Sequence, residues 1–324
     1  MRFMKTLISH TTALEILDLQ ARCEHREQDP LRFDFETIFD TGTLGVTDEA
    51  LALLERVPPP LDVLVCSRAK LHLRGPFRTH LHAGALPPDS CTLIDHGVYL
   101  CGAPFVFLQL ARGRELLPAI KLACYMMGTY SLDPAGVDGI VYRRPLTTID
   151  DLATFLHANS RQKGSGVAAK ALKHALPLCA SPKEMELALL LTLPARMGGY
   201  ALRKPQLNSP ILLSPEARRL YPHSTCYVDL LWQEAHYGLE FNGRHHYESD
   251  MKIGDDEARR LALRRDGYTI ESVTSQQLAN AAQLDAVAEN IAERLRARSS
   301  AFRNPRHGQL QKDLIRGLAQ KGLL

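Results

Sequence analysis

The sequence predicts an α/β protein whose second half is ordered α-β-β-β-α-β, behind a mixed α+β region and a helical connector. Three observations carry that reading. From Ser181 onward, apolar residues recur at helical spacing in three stretches: Leu187, Leu190 and Leu191; Ala258, Leu261 and Ala262; and Leu284, Val287, Ala288, Ile291 and Leu295. Between the first two, the apolar runs Cys226–Trp232 and Tyr237–Asn242 flank a polar break, as the strands of a hairpin do. Ahead of Ser181, short strand-like runs give way to helical runs punctuated by Pro and Gly. The expected domains are therefore 1–112 (mixed α+β), 113–180 (helical connector), 181–298 (the α-β-β-β-α-β unit) and 299–324 (a basic tail).

Taken in order, a helix is expected around Asp48–Arg56, ended by Pro58-Pro59-Pro60, and then a buried strand over Leu61–Ser67. Arg78–His82 and Gly97–Leu100 read as further short strands. His72, His80 and His82 fall in strand-like segments without neighbouring ligands and read as structural. Helices are expected around Leu116–Tyr130, Thr148–Asn159 and Val167–Leu176, with Asp150 and Asp151 suiting a helix N-terminus at Thr147/Thr148. The Gly164-Ser165-Gly166 segment lacks the order of a phosphate loop and reads as a turn. Ser181, Pro182 and Glu184 predict a capping box with Pro at the first helical position. A strand is expected near Leu207–Leu213, and another over Tyr268–Val273.

The hairpin holds the chemistry. With Glu234 and Ala235 in the turn, Gln233 falls opposite His236 and, counting outward, Asp229 opposite Glu240. Asn242 shares the face of Glu240 by alternation. Two facing acids repel unless a cation lies between them, and a divalent ion taking oxygen ligands, magnesium first, is the natural candidate.

The pattern Asp229, Glu240-Phe241-Asn242-Gly243 and His246, followed by Asp256-x-x-Arg259, Leu263 and Gly267-Tyr268, resembles the Vsr-like branch of the PD-(D/E)XK nucleases. The helix opening Ser181-Pro182-Lys183-Glu184 joins it. The resemblance covers roughly residues 180–298. It implies a restriction-endonuclease-like core and a metal-dependent DNA endonuclease of bacterial repair or defence. Asp229 and Glu240 would hold Mg²⁺ or Mn²⁺. Glu184, Asn242 and His246 would complete the catalytic set, with His246 moving protons. Arg244, Arg259, Arg260 and Arg264 would contact phosphates. Asp256 and Arg259, three apart on a helix, are placed to pair. The chain departs from the pattern at Asn242, where the superfamily has Lys and this branch more often Asp. The front half, through Ser9–Leu14, Arg78–His82 and Gly97–Pro104, resembles AbiEi-type antitoxin proteins. Their opening winged helix-turn-helix is not in the sequence, which argues against a transcription factor. The alternative function is a catalytically degenerate nuclease fold that binds DNA or serves as a toxin–antitoxin-type regulator with a protein partner.

Composition bounds these readings. The 324 residues, 45% hydrophobic and 23% charged, are those of an ordinary soluble globular protein of more than one domain. No run of about 18 apolar residues predicts a membrane span, and the N-terminus has no signal-peptide pattern. Seven scattered cysteines without CxxC pairs suit reduced thiols in a cytoplasm. A net charge of +3 is too small to imply nucleic acid, but Arg294 to Lys321 carry eight Arg/Lys against Asp313 alone.

Overall fold

The computed structural model describes residues 5–22, 59–65, 67–68, 71, 76–82, 85–95, 97–242 and 250–320. The expected helix at Asp48–Arg56, and with it His72, Arg244, His245 and His246, lies outside them. The fold is mixed α/β, and the chain divides into two compact units, Met1–Lys173 and His174–Gly322.

In the first unit, strands β1 (Thr6–Ile8), β2 (Leu61–Val65), β3 (Phe77–Leu81), β4 (Cys91–Asp95) and β5 (Val98–Cys101) form one sheet in the order β3-β2-β1-β5-β4. Every residue of β2 is buried, as an interior strand rich in Val and Leu requires. Helix α1 (His10–Arg22) follows β1 directly, and α2 (Ala103–Ala111) follows β5. The helices α3 (Leu116–Met126), α4 (Ile149–Ala158) and α5 (Ser165–Leu172) pack with α2 inside this unit. The segment expected as a connector is thus largely part of the first unit's core. Ala119, Ile120, Leu122, Ala123 and Cys124 are fully buried, an apolar surface no exposed linker could carry.

Thr148 and Asp151 cap α4 reciprocally. Helix α3 ends at Met126, short of the expected Tyr130; Gly128 follows, and Tyr130 opens a two-stranded ribbon, β6 (Tyr130–Val137) and β7 (Ile140–Tyr142). Its turn at Asp138-Gly139, both at positive φ, has the hairpin chemistry.

The second unit runs α6 (Pro182–Thr192), β8 (Gln206–Leu212), β9 (Thr225–Trp232), β10 (Tyr237–Asn242), α7 (Asp250–Arg265) and β11 (Thr269–Thr274), an α-β-β-β-α-β order. Helices α8 (Ser275–Ala279) and α9 (Ala281–Arg294) follow. The sheet order is β11-β10-β9-β8, with β10 and β11 parallel and the other neighbours antiparallel. Ala262 and Leu263 of α7 pack on Cys226, Val228, Leu231 and Ile211.

The expected basic tail is a folded element. Helix α10 (His307–Ala319) packs on α6 and on the 3-10 turn Ala195–Met197. Its face of His307, Gln311, Leu314 and Leu318 is buried, the spacing of one helical stripe. Contact is close enough to need glycine. At Gly198 (φ +88°) a Cβ would sit 2.2 Å from the Leu310 carbonyl oxygen.

Candidate functional site

The hairpin forms in the expected register. Trp232 pairs Tyr237, Leu231 pairs Gly238 and Leu230 pairs Leu239, around the turn Gln233–Ala235. The His236 amide donates to the Gln233 carbonyl at 3.1 Å, and His236 takes the left-handed conformation that closes the turn.

The next rung, Asp229 against Glu240, is not a backbone pair. Instead the Phe241 amide donates to Asp229 Oδ2 at 2.8 Å, so a side chain stands where the ladder would continue. On the other side, the β8–β9 ladder pairs Leu207 with Leu230 and Ser209 with Val228, passing over Asp229. Across from it sits Asn208, at φ 45°, a left-handed value that Asn tolerates better than most residues. Asp229 thus occupies an interruption in the sheet, and direct opposition to Glu240 gives way to this irregular arrangement.

Two further acids lie within electrostatic reach. Burial first, then the charges of Glu184 and Glu240, raise the Asp229 pKa to about 7, against the lowering influence of the Phe241 amide and Arg259. Glu184 comes from the first turn of α6. Ser181 Oγ caps that helix by accepting from the Glu184 amide at 3.1 Å, as expected. The Glu184 carboxylate does not return the bond to Ser181. Its Oε2 accepts from the Ala180 amide and from Asn208 Nδ2, both at 2.9 Å, which aims it toward the sheet rather than at its own cap.

Glu240 is ion-paired with Arg259, Nη2 to Oε1 at 2.5 Å, and the same guanidinium donates to the Tyr227 carbonyl. The expected Asp256–Arg259 pair is replaced by this longer-range one, since Arg259 is half-buried against the sheet while Asp256 is exposed. Asn242 ends β10 beyond Glu240, half-buried and level with Thr274 of β11. Arg260 reaches Ser272 Oγ at 3.3 Å, and Arg264, one turn on, is exposed. Glu184, Asp229, Glu240 and Arg259 are therefore brought together. Arg260 and Arg264 lie on a different face of α7, and His246 and Arg244 are outside the described residues. Asn208 and Tyr227 escaped the sequence reading. Their signal, an Asn and a Tyr inside strands, is too common to single out.

Among the described residues, no group of three or more His, Cys, Asp or Glu is arranged to hold a metal ion. The donor chemistry nonetheless fits a hard cation. Carboxylates from adjacent strands, with Asp229 destabilised as an anion, suit an ion that takes one or two carboxylates and keeps its remaining waters.

The first unit holds a second ionisable cluster. Asp62 of β2 is buried; its Oδ1 accepts from His80 at 2.7 Å and is ion-paired with Arg78 Nε at 3.0 Å. Its Oδ2 accepts from the Thr12 amide at 3.3 Å, and the Asp62 amide donates to Thr12 Oγ1 at 2.8 Å. His80, read from sequence as lacking partners, also stacks on His10 with centroids 3.7 Å apart. His82 contacts the Ala85 carbonyl and the edge of Phe105. Burial, then the His80 and Arg112 charges, push the His10 pKa down to about 3. Among the described residues, no helix is long and apolar enough to cross a membrane.

Compared with protein-family models, curated proteins and solved structures, the chain has no match.

Proposed function

We propose that the second unit is a metal-dependent DNA endonuclease with a PD-(D/E)XK-type core. The single observation that carries this is the gathering of Glu184, Asp229 and Glu240 at the interruption between β8, β9 and β10. Acids gathered in this way raise one another's pKa, and here Glu184 and Glu240 both raise that of Asp229, the kind of perturbation that clusters at functional sites. The α-β-β-β-α-β order around it and the sequence resemblance point the same way. Asp229 and Glu240 would hold Mg²⁺ or Mn²⁺, with Glu184 beside them. A bound divalent ion supplies the positive charge that activates water and offsets charge on the phosphate. Arg259 orients Glu240, Arg260 and Arg264 offer exposed guanidinium groups to the DNA backbone, and proton transfer falls to His246.

A specific observation favours a second reading. Arg259 already supplies a cation at Glu240, and Asn242 stands where a catalytic Lys would stabilise developing charge. On that reading the unit binds DNA, or a toxin–antitoxin-type protein partner, without cleaving.

Cleavage of supercoiled plasmid with magnesium or manganese separates the two. The nuclease reading expects metal-dependent nicking that falls by at least about 10²-fold in Asp229→Ala and Glu240→Ala. Intact plasmid under every metal, with DNA still bound, would leave the binding module.

A further inference from the structure

In the first unit, the antiparallel strands β4 and β5 set Cys91 directly opposite Cys101. Opposed residues share a face, so both thiols lie on one side of the sheet. One step outward from the pair, the Gly102 amide donates to the Ser90 carbonyl at 2.8 Å. Bonded and unbonded rungs alternate along an antiparallel ladder, so Cys91 and Cys101 form a non-hydrogen-bonded rung. That is the closer kind, with Cα atoms about 4.5 Å apart, at the short end of the roughly 4.4–6.8 Å that a disulfide spans. The register shift between these strands comes only beyond Leu93, away from the pair.

The two sulfurs differ in access. Cys101 is fully buried on the interior strand β5, where its Sγ accepts from Gln109 Nε2 of α2 at 3.5 Å. Cys91 is 8% exposed and lies on β4, an outer strand of this sheet. An outer strand, held by one neighbour, opens locally more readily than an interior one. Both residues are thiols in this structure, and burial pushes Cys91 up to about 11 and Cys101 well above the usual thiol range. Thiolate is therefore scarce at neutral pH, and the pair reacts slowly, through openings of β4.

We propose that Cys91 and Cys101 are a redox pair that closes a cross-strand disulfide between β4 and β5, with a small disulfide such as oxidised glutathione as the oxidant. The Cys91 thiol gives its proton to solvent, and its sulfur attacks one sulfur of the oxidant. The oxidant's S–S bond breaks, and one glutathione leaves as a thiolate and takes up a proton. Cys101, deprotonated in turn, attacks the Cys91 sulfur of the mixed disulfide, forms the Cys91–Cys101 bond and expels the second glutathione. Two protein thiols are oxidised, and one oxidised glutathione is reduced to two thiols. The Cα span of this rung is shorter than the roughly 5.5–6 Å a disulfide prefers, so the bridge is strained and open to reduction, as a reversible link must be. In the bridged protein the outer strand is tied down; in the reduced protein it can open. The pair belongs to the first unit and does not depend on the nuclease reading of the second.

Trypsin gives a direct test. No Lys or Arg lies between Arg78 and Arg112, so one peptide, Thr79–Arg112, carries both cysteines and no other. The folded, reduced protein is held with oxidised glutathione, capped with N-ethylmaleimide and digested without reductant. The expected peptide is uncapped and lighter than its reduced form by two hydrogen atoms, and dithiothreitol before capping restores two maleimide adducts. Amide exchange along β4 is expected to slow by at least about 10-fold in the bridged protein. Cys91→Ser treated in the same way should show no such slowing. Two adducts after oxidation, a glutathione adduct that persists, or a link from either cysteine to another peptide would each overturn the proposal. So would unchanged exchange along β4 on bridging, or equal slowing in Cys91→Ser.

Discussion

Asp62 in the first unit and Asp229 in the second are the same residue type, each on an interior strand of its sheet, and they titrate in opposite directions. Burial pushes both toward the neutral form. At Asp62 the hydrogen bond from His80, the charges of His80 and Arg78 and the Thr12 amide outweigh burial and hold the carboxyl below its usual range. At Asp229 the Phe241 amide and Arg259 oppose burial, but Glu184 and Glu240 add to it, and the pKa rises to about 7. The contrast teaches that burial does not decide what an acid is for; the ratio of donors to other acids around it does. Asp62 is surrounded by donors, whereas Asp229 sits between two other acids with one amide and Arg259 to oppose them.

The largest expected effect separates the two by mutation. Asp62→Ala removes the acceptor that the buried Thr12 amide, His80 and Arg78 share, and is expected to cost about 1–3 kcal/mol in denaturant unfolding. Asp229→Asn in EDTA near pH 8 should leave stability unchanged or improve it, because Asn still accepts from Phe241 while the repulsion from Glu184 and Glu240 disappears. Equal losses in the two variants would break the comparison.

A smaller effect lies in pH dependence. The folded pKa of Asp229 is raised from 3.8 to about 7, so its ionisation penalty is absent below the ordinary value and complete above the folded one. Without metal, the stability of Asp229→Asn relative to wild type should therefore grow as pH rises from 4 to 7. His10 runs the other way. Its pKa is lowered from 6.5 to about 3, so the contribution of its neutral ring is complete above the first value and lost as pH falls toward the second. His10→Asn keeps a residue tolerant of the positive φ at this position, and its deficit against wild type should shrink in acid. Melting temperatures of the three proteins across pH 3–8 check both signs.

The smallest effect concerns Arg259. It lowers the Asp229 pKa, so Arg259→Ala should move that titration further upward, read by carboxyl NMR in the metal-free protein. A downward shift would show that Arg259 acts on Asp229 only by restraining Glu240.

What was legible in the sequence was local. The register of the hairpin follows from alternation within 226–242, and the Ser181 cap from four consecutive residues. From these came the nearness of Asp229 and Glu240. What stayed hidden depends on partners far along the chain. Asp62 meets Thr12 across 50 positions, Glu184 meets Asn208 across 24, and Arg259 meets the Tyr227 carbonyl across 32. Helix α10 was hidden differently. Its buried face includes His307 and Gln311, so counting charge found a basic tail where spacing would have found a packed stripe.

That packed stripe bears on how the chain can be shortened. Gln311 donates to the Tyr200 hydroxyl and also reaches Asp285 at 3.3 Å, and His307 Nε2 bonds the Gly199 carbonyl at 3.1 Å. A fragment ending at Arg298 would retain Glu184, Asp229, Glu240 and Arg259 and look complete on paper. It would also uncover Tyr200 and the Gly198 contact, turning the inner wall of the unit into an outer one. Poor expression of such a fragment would report a missing buttress and say nothing about the carboxylates.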